Sequence, residues 1–87
     1  MGGEPNSELG GLFFRPTLIA NPPLGSEIVT SEIFGPVLTM QTFTTDEQLI
    51  EMANNTEFGL AAVIVSGNRE HAKRIADEVV AGTIWVN

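Results

Sequence analysis

Two short apolar runs, Ala61-Ala62-Val63-Ile64-Val65 and Thr83-Ile84-Trp85-Val86, bracket a single stretch of helical periodicity, and this spacing restricts the fold more than any other feature. The first run is continuous rather than alternating, the pattern of a strand covered on both faces. Between the runs Ala72, Ile75, Ala76, Val79 and Val80 recur at helical spacing and form one apolar stripe. Asn68 stands where an N-cap is needed, and Gly82 is placed as the C-terminal stop. Strand, helix and strand in this order predict a right-handed crossover between parallel strands.

The same logic extends upstream. Val37 to Phe43 alternates, with Leu38, Met40 and Thr42 on one face and Val37, Thr39, Gln41 and Phe43 on the other, which predicts a strand. Thr45-Asp46-Glu47-Gln48 matches a capping box, with Thr45 as N-cap and Gln48 reaching back to its N–H. The helix that follows is expected to bury Leu49, Ile50, Met52 and Ala53 and to stop at Asn54-Asn55-Thr56. The chain is therefore expected to be α/β, a small parallel sheet of β-α-β-α-β order, preceded by a loop-rich segment with an edge strand.

In that segment residues 1–11 read as a flexible lead-in, and residues 12–87 as one incomplete domain. Leu12 to Ile19 is aromatic and β-branched and reads as extended, with Pro16 confining it to an edge. Asn21-Pro22-Pro23-Leu24-Gly25 breaks the chain, and Ser26 to Ile33 predicts one helical turn capped by Ser26. Two helices cannot cover both faces of a parallel sheet. A homo-oligomer, formed through the exposed sheet face or the edge strand at Thr83 to Asn87, is the expected partner arrangement.

Charge and composition exclude several functions. The net charge of −7 argues against a nucleic-acid or anionic-membrane surface. Arg69, Lys73 and Arg74 lie among Glu70, Asp77 and Glu78, a mixed solvated face in which Glu70 pairs with Arg74. No apolar run reaches membrane length and no basic-apolar leader is visible, so the expected location is the cytoplasm. With no cysteine there is no disulfide, thiolate metal site or thiol nucleophile; with one histidine as well, no conventional zinc site is expected. His71 reads as a surface residue and Trp85 as core. No glycine-rich phosphate loop is present.

Glu32-Ile33-Phe34-Gly35-Pro36-Val37 places a carboxylate, a ring and a Gly-Pro corner at the start of a strand. Pro36 biases Gly35 away from helix, so the chain turns there and then extends. Taken alone, Glu32 is a solvated loop acid, Phe34 a core anchor and Leu60 a core residue.

With Gly10-Gly11, Phe14-Arg15-Pro16-Thr17-Leu18, Glu32 to Val37, Asn54-Asn55-Thr56-Glu57-Phe58-Gly59-Leu60-Ala61-Ala62 and Ala81-Gly82-Thr83-Ile84-Trp85-Val86-Asn87 in this order, the chain resembles the aldehyde dehydrogenase superfamily, in the later part of its catalytic domain only. The resemblance implies that Glu32 accepts hydrogen bonds from the nicotinamide-ribose hydroxyls of NAD or NADP and that Phe34 packs near the nicotinamide ring. It implies that Leu60 lies close to the same ring and that Asn87 supports the active site. A carboxylate suits a diol because it is an acceptor-only group facing two donors.

In that family a cysteine thiolate attacks the aldehyde, hydride passes to the cofactor, and the resulting thioester is hydrolysed. The cysteine, an asparagine oxyanion donor, a glutamate base and the nucleotide-binding domain all lie outside the matched region. No catalytic residue is therefore expected in this chain. Ribose hydrogen bonds of about 1–3 kcal/mol each do not offset the several kcal/mol lost on association, so the chain alone is expected to be inactive and to bind no cofactor. The alternative expectation is a non-enzymatic module that associates with itself or with a partner.

Overall fold

Both strands of the first half begin directly after a proline: β1 (Thr17–Ala20) after Pro16 and β2 (Val37–Met40) after Pro36. Proline has a fixed φ and no N–H, so it suits the approach to a strand and not its interior ladder. The computed structural model describes residues 1–87. The remaining elements are α1 (Glu27–Thr30), α2 (Asp46–Asn54), β3 (Ala61–Ile64), α3 (Arg69–Glu78) and β4 (Thr83–Val86). The chain divides into two units, Met1–Thr42 and Phe43–Asn87.

The α/β class, the parallel pairing and the strand-helix-strand-helix-strand order from Val37 onward are all present. The strands are distributed over two two-stranded sheets, β1 with β2 and β3 with β4, rather than lying in one.

In the first unit β1 and β2 run parallel, from Thr17 opposite Val37 to Ala20 opposite Met40. Asn21 ends both strands. It is the one non-glycine residue with positive φ, at 48°, a conformation asparagine tolerates because its short amide bonds locally. Its Oδ1 accepts from the Thr42 N–H at 2.8 Å and the Thr42 hydroxyl at 3.2 Å, and its N–H donates to the Met40 carbonyl at 2.7 Å. Because this side chain takes the Thr42 N–H, the strand expected to reach Phe43 stops at Met40.

The expected lead-in is tied back onto the same unit. Met1 exchanges hydrogen bonds with Leu18, Pro5 bridges Phe14, and Arg15 faces Glu4 and Glu8 at 3.6 and 4.0 Å. Gly2, at φ +82°, lies so close to Pro16 that a Cβ would strike its carbonyl oxygen. The expected helical turn after Ser26 is present as a helix of four residues, and it ends within the predicted stretch because Ser31 is already extended at ψ 153°. Ser26 caps it without a side-chain bond; its hydroxyl donates instead to the Pro23 carbonyl.

In the second unit Thr45 caps α2, its Oγ1 accepting from the Gln48 N–H at 3.2 Å. The return arm differs from expectation: Gln48 Oε1 accepts from the N–H of Thr44, not Thr45, at 2.9 Å. Asn68 caps α3 as expected, through the His71 N–H at 3.0 Å. Of the predicted stripe only Ala72 and Ile75 are fully buried, at 0% and 4% exposure. α3 ends at Glu78, with Val79 extended and Val80 exposed, so Gly82 is not its stop. Gly82 serves close approach instead, its N–H donating to the Gly59 carbonyl at 2.7 Å.

β3 and β4 pair in parallel with Val63 opposite Trp85. Ala62, Ile64, Ile84 and Val86 are half-buried, on the strand faces turned inward. Val63, Val65 and Trp85 stand on the bare face; β3 is thus covered on one side only, and Trp85 is not core. Leu49, Ile50 and Met52 of α2 are half-buried and Ala53 is exposed. His71 is not a free surface residue: its Nε2 lies 2.7 Å from Asp46 Oδ2 and joins α3 to α2. Glu70 pairs with Lys73 at 3.8 Å rather than with Arg74.

Candidate functional site

The corner Ser31 to Val37 is built from two successive tight turns. The Gly35 N–H donates to the Ile33 carbonyl at 2.9 Å, and the Val37 N–H to the Gly35 carbonyl at 2.8 Å. These three-residue turns centre on Phe34 and Pro36, and a proline suits the centre because its own N–H is not needed there. Both ends are pinned. The Ser31 N–H donates to Glu27 at 2.9 Å, and the Pro36 carbonyl accepts from Thr17 at 2.8 Å, at the start of β1.

A ring at the apex of such a turn points away from the chain. Phe34 is 94% exposed, which overturns the core-anchor reading and leaves its faces free. Glu32 is exposed and joins none of the four ion pairs of the chain. An unpaired carboxylate two residues from an outward ring can accept from a diol while the ring packs against a flat heterocycle. The corner thus offers an unpaired acceptor and a free ring face within two residues of each other.

Leu60 and Asn87 belong to the second unit. Leu60, directly before β3, is 88% exposed and is not core. Its carbonyl accepts from Thr83 at 3.3 Å, so its backbone is held while its side chain is free. The amide of Asn87 is occupied: Oδ1 accepts from the Ser66 N–H and Nδ2 donates to the Ser66 carbonyl, both at 3.0 Å. Ser66 Oγ in turn accepts from the Asn68 N–H at 3.1 Å, and Asn68 caps α3. The Asn87 side chain therefore ties together the backbone at the ends of β3 and β4.

Glu32 and Phe34 are brought together on one corner. Leu60 and Asn87 are not brought together, since Asn87 bonds Ser66 and the six residue steps of chain from Leu60 through β3 to Ser66 span roughly 20 Å when extended. Sequence reasoning missed Asn54 as a bridging side chain. Its Nδ2 donates to the Glu78 carbonyl at 2.9 Å and its Oδ1 accepts from the Val80 N–H at 2.8 Å. The only signal was an asparagine at the end of a helix, which also reads as a simple stop.

Comparison with known proteins gives a consistent result. The family model described as the aldehyde dehydrogenase family matches residues 1–87. Betaine aldehyde dehydrogenase of Bacillus subtilis is 43% identical over 77 residues, covering 88% of this chain and 16% of the relative. The peroxisomal aminoaldehyde dehydrogenase 2 of Pisum sativum is 38% identical over 86 residues, covering 99% of this chain and 17% of the relative. Among solved structures, betaine aldehyde dehydrogenase of Staphylococcus aureus in complex with NAD+ is similar with a TM-score of 0.92 at 37% identity, covering 99% of this chain and 18% of that one. The chain thus spans less than a fifth of the length of the relatives it matches.

Proposed function

This chain belongs to the aldehyde dehydrogenase family, and from that premise we propose that it supplies the nicotinamide-ribose side of an NAD(P)-dependent aldehyde dehydrogenase, which oxidises an aldehyde to a carboxylic acid. The outward Glu32 and Phe34 on one pinned corner carry this reading. The cofactor, when bound, supplies the hydride acceptor. Glu32 holds the ribose hydroxyls, Phe34 limits the pose of the nicotinamide ring, and Leu60 adds an apolar contact. Positioning of this kind matters because hydride transfer requires the reacting carbons nearly in contact. NAD+ in the Staphylococcus aureus relative supports NAD as the first cofactor to test.

On this reading the 87 residues alone do not turn over aldehyde, because a covalent route needs a thiolate and the chain has no cysteine. A cytoplasmic location belongs to the same proposal; no helix is long and apolar enough to cross a membrane. The test is a pair of assays for aldehyde-dependent NADH formation. The purified 87-residue chain is expected to give none. The same residues, placed in Bacillus subtilis betaine aldehyde dehydrogenase instead of its matching segment, are expected to support turnover. Turnover by the chain alone, or a folded but inactive graft, would count against the proposal.

A second reading is favoured by one observation, the bare face on which Val63 and Trp85 stand opposite each other at 67% and 56% exposure. Through that face the 87-residue chain associates with a second copy as a non-enzymatic module, since adjacent large apolar side chains seek cover. Sedimentation is expected to show a concentration-dependent dimer that Trp85→Arg abolishes. A wild-type monomer at high concentration would rule this reading out.

A further inference from the structure

The segment between α3 and β4 is gripped from two sides. On one side stands Asn54, the last residue of α2. Its amide donates to the carbonyl of Glu78 and accepts from the N–H of Val80, at 2.9 and 2.8 Å. The first of these is a helix-terminal carbonyl that has no partner within α3, and the second is an N–H beyond its end. One side chain therefore fixes where the chain leaves the helix.

On the other side the same segment presses against Gly59 and Leu60. A Cβ on Gly59 would lie 3.2 Å from the Val80 carbonyl oxygen, and a Cβ on Gly82 3.3 Å from that of Leu60. The Gly82 N–H donates to Gly59 at 2.7 Å and the Thr83 N–H to Leu60 at 3.3 Å. Backbone contacts this close leave little slack, so a displacement of Val80 passes directly to Gly59 and Leu60. Within this knot the side chains of Leu60 and Val80 are free, at 88% and 75% exposure, and Leu60 is the one read above as a cofactor contact.

We propose that Asn54 is a positioning residue that sets the place of Leu60 against the nicotinamide ring, by clamping Glu78 and Val80 onto the Gly59–Leu60 backbone. The proposal rests on the reading of Leu60 as a cofactor contact. Asn54 touches neither cofactor nor substrate and acts through the two glycine-lined crossings.

The experiment is a double-mutant cycle in the full-length graft described above, read by calorimetric NAD+ affinity and by the KM for aldehyde. Asn54→Ala and Leu60→Ala are each expected to weaken NAD+ binding roughly five- to tenfold, with the aldehyde KM unchanged, and the double variant is expected to be no weaker than Leu60→Ala alone. Asn54→Ser, which retains a polar group that a water can bridge to Glu78 and Val80 and sets no carboxylate against the Glu78 carbonyl, is expected to fall between wild type and Asn54→Ala. It takes the place of Asn54→Ala in the cycle where that variant does not fold.

Additive losses, or a lowered Tm with NAD+ affinity unmoved, would overturn the clamp and leave the cofactor role of Leu60 standing. A Leu60→Ala variant with wild-type affinity would instead overturn the reading of Leu60, and the clamp with it.

Discussion

Replacing Ile75 by alanine is expected to destabilise the second unit by about 2–5 kcal/mol, the cost of removing a buried branched side chain and leaving a cavity. Ile75 carries a disproportionate load because the only fully buried residues are Ala72 and Ile75. A chain of this size has little surplus stability, since net folding free energies are of the order of 5–15 kcal/mol even for ordinary domains. Chemical denaturation of the 87-residue chain, followed by helical circular dichroism, measures the effect. Val80→Ala is the control: Val80 stands on the same predicted stripe but is 75% exposed, and its loss is expected to stay within about 0.5 kcal/mol. Equal effects at the two positions would mean that the stripe, and not burial against the β3–β4 pair, sustains the helix.

The second large effect is expected at Glu32. Glu32→Gln keeps the size of the side chain and one acceptor but removes the charge, and hydrogen bonds to charged groups contribute about 1.5–3 kcal/mol. That corresponds to a loss of roughly 10- to 100-fold in NAD+ affinity, measured by calorimetry in the full-length graft. Stability should not move, because Glu32 is exposed and forms no ion pair within the chain. A lowered Tm with unchanged affinity would assign Glu32 a structural role and remove it from the cofactor site.

The elements that could be read from sequence were those whose signals are local. The capping of α2 by Thr45 and of α3 by Asn68 depends on residues three apart, and both caps form. The apolar runs at Ala61 and Thr83 become strands for the same reason. What escaped depends on partners distant along the chain. Continuous hydrophobicity from Ala61 to Val65 suggested two covered faces, yet Val63 and Val65 lie bare, because periodicity reports the character of a face and not what covers it. Asn21 and Asn54 act across 21 and 24 to 26 residues, spans over which spacing carries no signal.

At the candidate site the residue types were legible and the exposure was not. Phe34 reads as a core anchor from hydrophobicity alone and points outward because it sits at the apex of a tight turn. Leu60 is free for a related reason, since its backbone is held at a crossing with Thr83 while its side chain meets no cover. Asn87 was expected to support an active site. Its amide is committed to Ser66 and ties the strand ends together.

The most direct measurement is a crystal structure of the grafted dehydrogenase with NAD+ bound. The proposal predicts the Glu32 carboxylate within hydrogen-bonding distance of both nicotinamide-ribose hydroxyls and the Phe34 ring packed beside the nicotinamide. A bound cofactor whose ribose is held by other groups, with Glu32 and Phe34 in solvent, would contradict it.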